Sequence, residues 1–341
     1  MFRLPRLATT ATVVAAAFTL LAPTAASAGE ATLSDPRTVA HFQYSAGETP
    51  ENIALEPDGS ANLTLSYARK VVRVDKHGSS RLLAVLPEVP NAAPRFGRPV
   101  VLGIVRAKDG TLYVNYATGT SQTGIWRIGP HGGTPTQIAQ LPADSLPNGL
   151  ALDEKLRVFY VADSTRGVVW RVPLKGGTAT TWAAGTALQE LPGGFLGANG
   201  IKVHNGAVWV SNTDRQTLLR IPVGRDGGAG TTETRATGLV DIEDFDFTGQ
   251  DDTVLAALQG DEVALVRPNG THAIVLTSPD GLSSPTAVAV LVKHDEKDPK
   301  DDPKDKQRKE EATVYVTSSS YFHAVAPDPN LLTARLDRDN D

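Results

Sequence analysis

The chain has 341 residues, no cysteine and a formal net charge of −5. The missing thiols exclude disulfides, thiolate metal sites and cysteine nucleophiles, and the acidic balance argues against a nucleic-acid partner, which would need a broad basic surface. Hydrophobic residues at 40% and charged residues at 21% suffice for a sizeable core, while Gly 31 and Pro 23 indicate many turns.

At the N-terminus, Arg3 and Arg6 precede an apolar stretch to Leu21, and Ala26-Ser27-Ala28 supplies small residues for cleavage. This pattern predicts a signal peptide over residues 1–28, a secreted mature chain starting at Gly29, and no stable membrane insertion after processing. No later run reaches ~18 apolar residues.

Downstream, one unit recurs. Its first strand begins at Pro50-Glu51-Asn52, Val101-Leu102-Gly103, Pro147-Asn148-Gly149, Ala198-Asn199-Gly200, Ile242-Glu243-Asp244 and Pro285-Thr286-Ala287. A turn follows, often Asp-Gly as at Asp58-Gly59 and Asp109-Gly110, then a second apolar strand such as Phe159–Val161 or Val208–Val210. The third strand often carries an Arg beside apolar residues, as in Val72-Arg73-Val74 and Trp170-Arg171-Val172, and a Thr/Ala/Leu-rich fourth strand closes the unit. Four short strands per ~40–50 residues with period-2 alternation mark a β-propeller blade. The chain therefore reads as all-β, a single six-bladed propeller over residues 29–341. The sixth unit lacks a fourth strand, because the chain ends after Leu331–Leu336. The strand-like Thr38–Tyr44, which has no blade of its own, is expected to fill that place and close the ring. Between the first two strands of blade six, residues 293–311 hold 15 charged residues in 19. Such a run cannot bury surface and is expected to be a disordered, solvated insert.

In a propeller the starts of the innermost strands ring the central channel on one face. That ring reads Glu51, Leu102, Asn148, Asn199, Glu243 and Thr286, with Asp244 beside Glu243. Carboxylates and amides without His or Cys are the donor set of calcium rather than zinc or copper. Asn148-Gly149 and Asn199-Gly200 are also ordinary turn pairs, but turn chemistry gives no reason for Glu51 and Glu243 at the matching places. The expected metal ligands are Glu51, Asn148, Asn199, Glu243 and Asp244. No Gly-x-Ser-x-Gly elbow, phosphate loop or His-Glu-x-x-His is present. The aromatics, one or two per blade, read as packing, and His131 and His204 as ordinary surface residues.

The segments Pro147–Leu152 and Phe159–Ser164 resemble the senescence marker protein/gluconolactonase family, and Ala198-Asn199-Gly200-Ile201 resembles the paraoxonase family. The resemblance covers about residues 38–337 and implies a six-bladed propeller with calcium in the channel. It implies Glu51 and Asn148 as ligands by either family, and Asn199 with the Glu243-Asp244 pair by the paraoxonase pattern. It also implies a polar catalytic residue near Val101 or Leu102, where this chain is apolar. Two functions follow as expectations. One is a monomeric, calcium-dependent hydrolase of lactones or related small esters, with Glu243 or Asp244 activating water. The other is a non-catalytic binding or scaffold propeller whose calcium is structural.

Overall fold

Period-2 apolar stretches separated by tight turns produce twenty-four strands in a computed structural model that describes residues 31–90, 93, 95–249, 251–293, 311–323 and 325–337. Residues 1–28, expected to form the signal peptide, lie outside the described residues, as does the charged insert from 294 to 310. The first strand, β1 (Thr32–His41), precedes the blades. Blade one is β2 (Pro50–Leu55), β3 (Ala61–Leu65), β4 (Lys70–Val74) and β5 (Ser80–Val85); blade two is β6 (Val100–Arg106), β7 (Leu112–Ala117), β8 (Gly124–Ile128) and β9 (Thr136–Gln140). Blade three is β10 (Pro147–Asp153), β11 (Val158–Asp163), β12 (Val168–Pro173) and β13 (Thr180–Ala184); blade four is β14 (Ala198–His204), β15 (Ala207–Asn212), β16 (Thr217–Pro222) and β17 (Glu233–Ala236). Blade five is β18 (Ile242–Phe247), β19 (Val254–Leu258), β20 (Glu262–Val266) and β21 (His272–Leu276); blade six holds β22 (Pro285–Lys293), β23 (Glu311–Ser318) and β24 (Asn330–Asp337).

Each blade is an antiparallel sheet of four strands. In blade six the order is β1-β24-β23-β22, so the N-terminal strand supplies the outermost position and closes the ring as expected. It starts at Thr32, earlier than the sequence suggested. Pro36 does not stop it, because it falls where the register with β24 shifts between Ser34 and Arg37. An edge strand tolerates a proline at a bulge, where no ladder hydrogen bond is lost. Pairing of β22 with β23 extends to Lys293↔Glu311.

Six apolar clusters hold the ring together, each filling the seam between neighbouring blades. The seam between blades six and one joins Ala287 and Leu331 to Ile53 and Leu63, so the closing interface is as dry as the others. Burial of both sheet faces explains why the inner strands contain so few polar residues. The polar exceptions turn out to position the site.

Candidate functional site

Every innermost strand breaks register at its start. The shifts fall between Pro50/Asn52, Val101/Ile104, Pro147/Leu150, Ala198/Ile201, Ile242/Phe245 and Pro285/Ala287. These β-bulges re-aim side chains, and they contain all the ring positions read from the repeat. The glycines after Leu102, Asn148 and Asn199 have a reason beyond turn chemistry. A Cβ at Gly103 would lie 2.4 Å from Asn148 O, at Gly149 2.4 Å from Asn199 O, and at Gly200 2.5 Å from Asp244 Oδ1. Each blade's bulge thus presses against the next, and only a residue without a side chain fits between them.

A second device fixes the bulges. Thr64 Oγ1 donates to Leu102 O at 2.7 Å, Asn115 Nδ2 to Asn148 O at 2.9 Å, and Ser211 Oγ to Glu243 O. All three donors are fully buried at equivalent places in the second strand, each reaching into the next blade. The sequence reading passed over them. Their signal was a polar residue inside an otherwise apolar strand, which must find a partner when buried. Thr286 belongs with them rather than with the ring, because its hydroxyl donates to Pro50 O at 3.0 Å and pairs with Thr317.

A cavity of about 530 Å³ opens over the ring. Glu51, Asn148 and Glu243 line its inner end, and its walls come from the segments between blades and from the loops joining second to third strands. Glu51 accepts a hydrogen bond from the Tyr321 hydroxyl at 2.5 Å. Asn199 Nδ2 donates to Glu243 Oε2 at 2.8 Å and to Thr213 Oγ1 at 2.8 Å, which leaves the amide oxygen as the free end of the side chain. Glu243 Oε1 is buried with no hydrogen-bond partner among the described residues. Burial pushes the Glu51 carboxyl up to about 7, and the nearby Asp244 charge adds to that rise. Burial, and then the Glu51 charge, raise Glu243 well above the usual carboxylate range. Two carboxylates in one dry site repel unless a proton or a cation separates them.

Asp244 takes a different place from Glu243. Its Oδ2 accepts from Asn52 Nδ2 at 3.0 Å and pairs with Lys202 Nζ at 2.5 Å, and it does not line the cavity. Its Oδ1 is buried over Gly200 with no hydrogen-bond partner among the described residues. The Asn52–Asp244–Lys202 chain ties blades one, five and four together beneath the ring. Lys202 lines a separate cavity of about 490 Å³ on the opposite face, together with His204, which stacks on Phe247 at 3.7 Å. His204 therefore faces away from the ring, but it is largely buried against Phe247 rather than an ordinary surface residue, whereas His131 is an exposed turn residue as expected.

Among the described residues, no three His, Cys, Asp or Glu side chains gather into a metal cluster. The donor set that a calcium ion would find is instead mixed: two carboxylates, Glu51 and Glu243, and two amides, Asn148 and Asn199. The unpartnered Glu243 oxygen and the free Asn199 amide oxygen fit a hard cation that takes six to eight oxygens including water. Leu102 contributes no chemistry. It is buried with Val100, Leu146 and Leu196 beneath the cavity.

The reading of all aromatics as packing needs correction. Tyr44, Tyr67, Phe96, Phe195, Tyr321 and Phe322 line the cavity. They lie in loops and blade-connecting segments, where no strand periodicity assigns a direction to a side chain.

No model of a protein family matches the chain, and no curated protein matches it in sequence. Solved structures do match in fold. The calcium-binding protein regucalcin from Agrobacterium tumefaciens aligns at TM-score 0.61 and 15% identity, over 89% of this chain and 95% of its own. A gluconolactonase from Xanthomonas campestris aligns at TM-score 0.59 and 14% identity, over 91% and 98%. The PQQ-bound aldose sugar dehydrogenase from Streptomyces coelicolor aligns at TM-score 0.60 and 15% identity, over 91% and 99%. At these identities the likeness carries the fold alone, and that fold is the six-bladed propeller of the gluconolactonase and regucalcin structures.

Proposed function

We propose that this propeller is an exported, monomeric, calcium-dependent hydrolase of lactones or related small esters. The observation that carries the reading is Glu243 Oε1, buried without a partner among the described residues at the inner end of the cavity, beside Glu51, Asn148 and Asn199. A buried acid without a partner is costly unless a ligand completes it. Bound there, calcium would act as a Lewis acid, polarising a substrate carbonyl and stabilising the charge that develops on its oxygen.

The chain's own residues divide the remaining work. The Tyr321 hydroxyl holds the Glu51 carboxylate in place. Asn199 orients Glu243 through Oε2, and with a cation's charge beside it to keep the carboxyl ionised, Oε1 would take the proton of an attacking water. The same proton then returns to the ring or ester oxygen as the C–O bond breaks. Asp244, engaged by Lys202 and Asn52, adds negative charge below the ring and braces the bulge of blade five. It is less suited than Glu243 to be the base, because it does not line the cavity.

A quinone-dehydrogenase reading, which the sugar dehydrogenase likeness brings to mind, is less well supported. PQQ is a tricarboxylate, and the cavity's inner end is acidic, while Arg95 on its wall is paired with Glu190 at 2.5 Å. The non-catalytic alternative has one observation in its favour, the apolar Leu102 where the resemblance implies a catalytic polar group. Turnover of a panel of lactones and aryl esters by purified mature protein, with calcium and with chelator, separates these readings. Calcium-dependent hydrolysis supports the first. Calcium-dependent melting without hydrolysis favours the binding module, and melting insensitive to chelator removes the calcium reading.

A further inference from the structure

Four rings form a continuous line along the cavity. Phe195 meets Phe96 edge-on with centroids 6.0 Å apart, Phe96 meets Tyr67 at 6.3 Å, and Tyr67 meets Tyr321 at 5.3 Å. The line ends at the metal ring, since Tyr321 is the residue that bonds Glu51. Its outer member, Phe195, is 48% exposed although its backbone is firmly held. Asp214 accepts from the N–H groups of Leu191, Phe195 and Leu196 at 2.9–3.3 Å. Gly194 permits this clasp, because a Cβ there would fall 1.8 Å from Asp214 Oδ2. The Arg95–Glu190 ion pair joins the segment that carries Phe96 to the one that carries Phe195. The aromatic line is therefore built in advance of any ligand.

Several polar groups of the same walls are spent inside the protein. Thr213 Oγ1 donates to Ile242 O and accepts from Asn199, Asp214 is engaged by backbone, and the Tyr321 hydroxyl by Glu51. A polyhydroxylated ring lying along the aromatic line would lose water there without matching donors and acceptors. An apolar ring or chain would cover the exposed faces of Phe96 and Phe195 and gain by burial and ring stacking.

We propose that the cavity selects lactones or esters bearing an apolar, ring-containing substituent, and that Phe96 and Phe195 are the residues that determine this preference. The nature of the reacting group rests on the hydrolase reading; the preference itself is a binding property and can be measured without turnover.

The experiment is calorimetric titration of the mature, calcium-loaded protein with two hydrolysis-resistant lactams, γ-phenyl-γ-butyrolactam and glucono-δ-lactam. The phenyl lactam is expected to bind at least about tenfold more tightly. Phe195→Ala should weaken it about tenfold while leaving the melting temperature nearly unchanged, and Phe195→Leu should fall between. Phe96→Ala should weaken it about tenfold with some loss of melting temperature, because Phe96 is half-buried against the cluster that holds Leu102 and Leu196. Equal or tighter binding of the sugar lactam, no detectable binding of either, or an unaltered preference in both alanine variants would overturn the proposal. Turnover of the matching lactones is followed in parallel. A retained phenyl preference without any hydrolysis refutes the hydrolase reading and leaves the aromatic preference standing.

Discussion

Glu51→Gln offers a test in which the metal-free and metal-bound proteins should respond with opposite sign. In the metal-free protein burial raises the Glu51 carboxyl from 4.5 to about 7. A carboxyl raised on folding favours the folded state in full below its unfolded value of 4.5, and that contribution is lost as pH rises through 7. The rise corresponds to about 3 kcal/mol, so chelated wild type should lose about that much from this group between pH 4.5 and pH 8. Glutamine has the same shape, still accepts from Tyr321, and never ionises. Without metal the variant should match wild type near pH 4.5 and exceed it by up to about 3 kcal/mol at pH 8. Removing the Glu51 charge also relieves Glu243, whose proton affinity it raises, so the coupling acts in the same direction. With calcium at about a thousandfold excess over the wild-type Kd the order reverses at pH 8. Wild type gains about 4.1 kcal/mol, more than the ~3 kcal/mol gap, while the variant, lacking a charged ligand, gains less than about 1 kcal/mol. Urea unfolding at pH 4.5 and pH 8, each with chelator and with calcium, reads all four values. A variant less stable than wild type at pH 8 in chelator, or a gap that does not change with pH, would refute the burial argument for Glu51.

Further outcomes follow from the same geometry. Glu243→Gln should abolish hydrolysis while calcium still raises the melting temperature, since Glu51, Asn148 and Asn199 remain to hold the ion but the base is gone; retained turnover would move the base elsewhere. Gly149→Ala should cost about 1–3 kcal/mol in denaturant unfolding and weaken calcium binding, because its Cβ would meet Asn199 O at 2.4 Å; a neutral result would show that the bulges are not tightly abutted. Replacing residues 295–310 by a short turn should leave the melting temperature within a few degrees, since the run has no core-forming residues and the flanking hairpin is paired to its end. N-terminal sequencing of the exported protein should begin at Gly29, and an intact Arg3 would exclude cleavage after Ala28.

The sixfold repeat was legible in the chain because each blade must bury its short strands against both neighbours and reuses the same apolar runs and turns. The unpaired N-terminal strand and the missing fourth strand of blade six were complementary absences, so even ring closure could be deduced before any coordinates. The ring positions were equally visible, since equivalent residues in a closed repeat converge on one axis. Residue type then separated Glu51, Asn148, Asn199 and Glu243 from the apolar Leu102.

Direction and partnership were decided only by the tertiary structure. Glu243 and Asp244 are adjacent in sequence, yet the bulge turns one toward the cavity and the other toward Lys202 in blade four. Thr286 occupies a ring position, but its hydroxyl is taken by Pro50 from the neighbouring blade. Gly149 and Gly200 follow Asn as a turn glycine would, yet what requires them is the backbone of the next blade. The aromatic line from Phe195 to Tyr321 joins four segments that share no period and lie up to 254 residues apart, from Tyr67 to Tyr321. Periodicity reports which face of a strand is buried. It carries no information on loops, where a side chain's direction is set by contacts that exist only once the ring has closed.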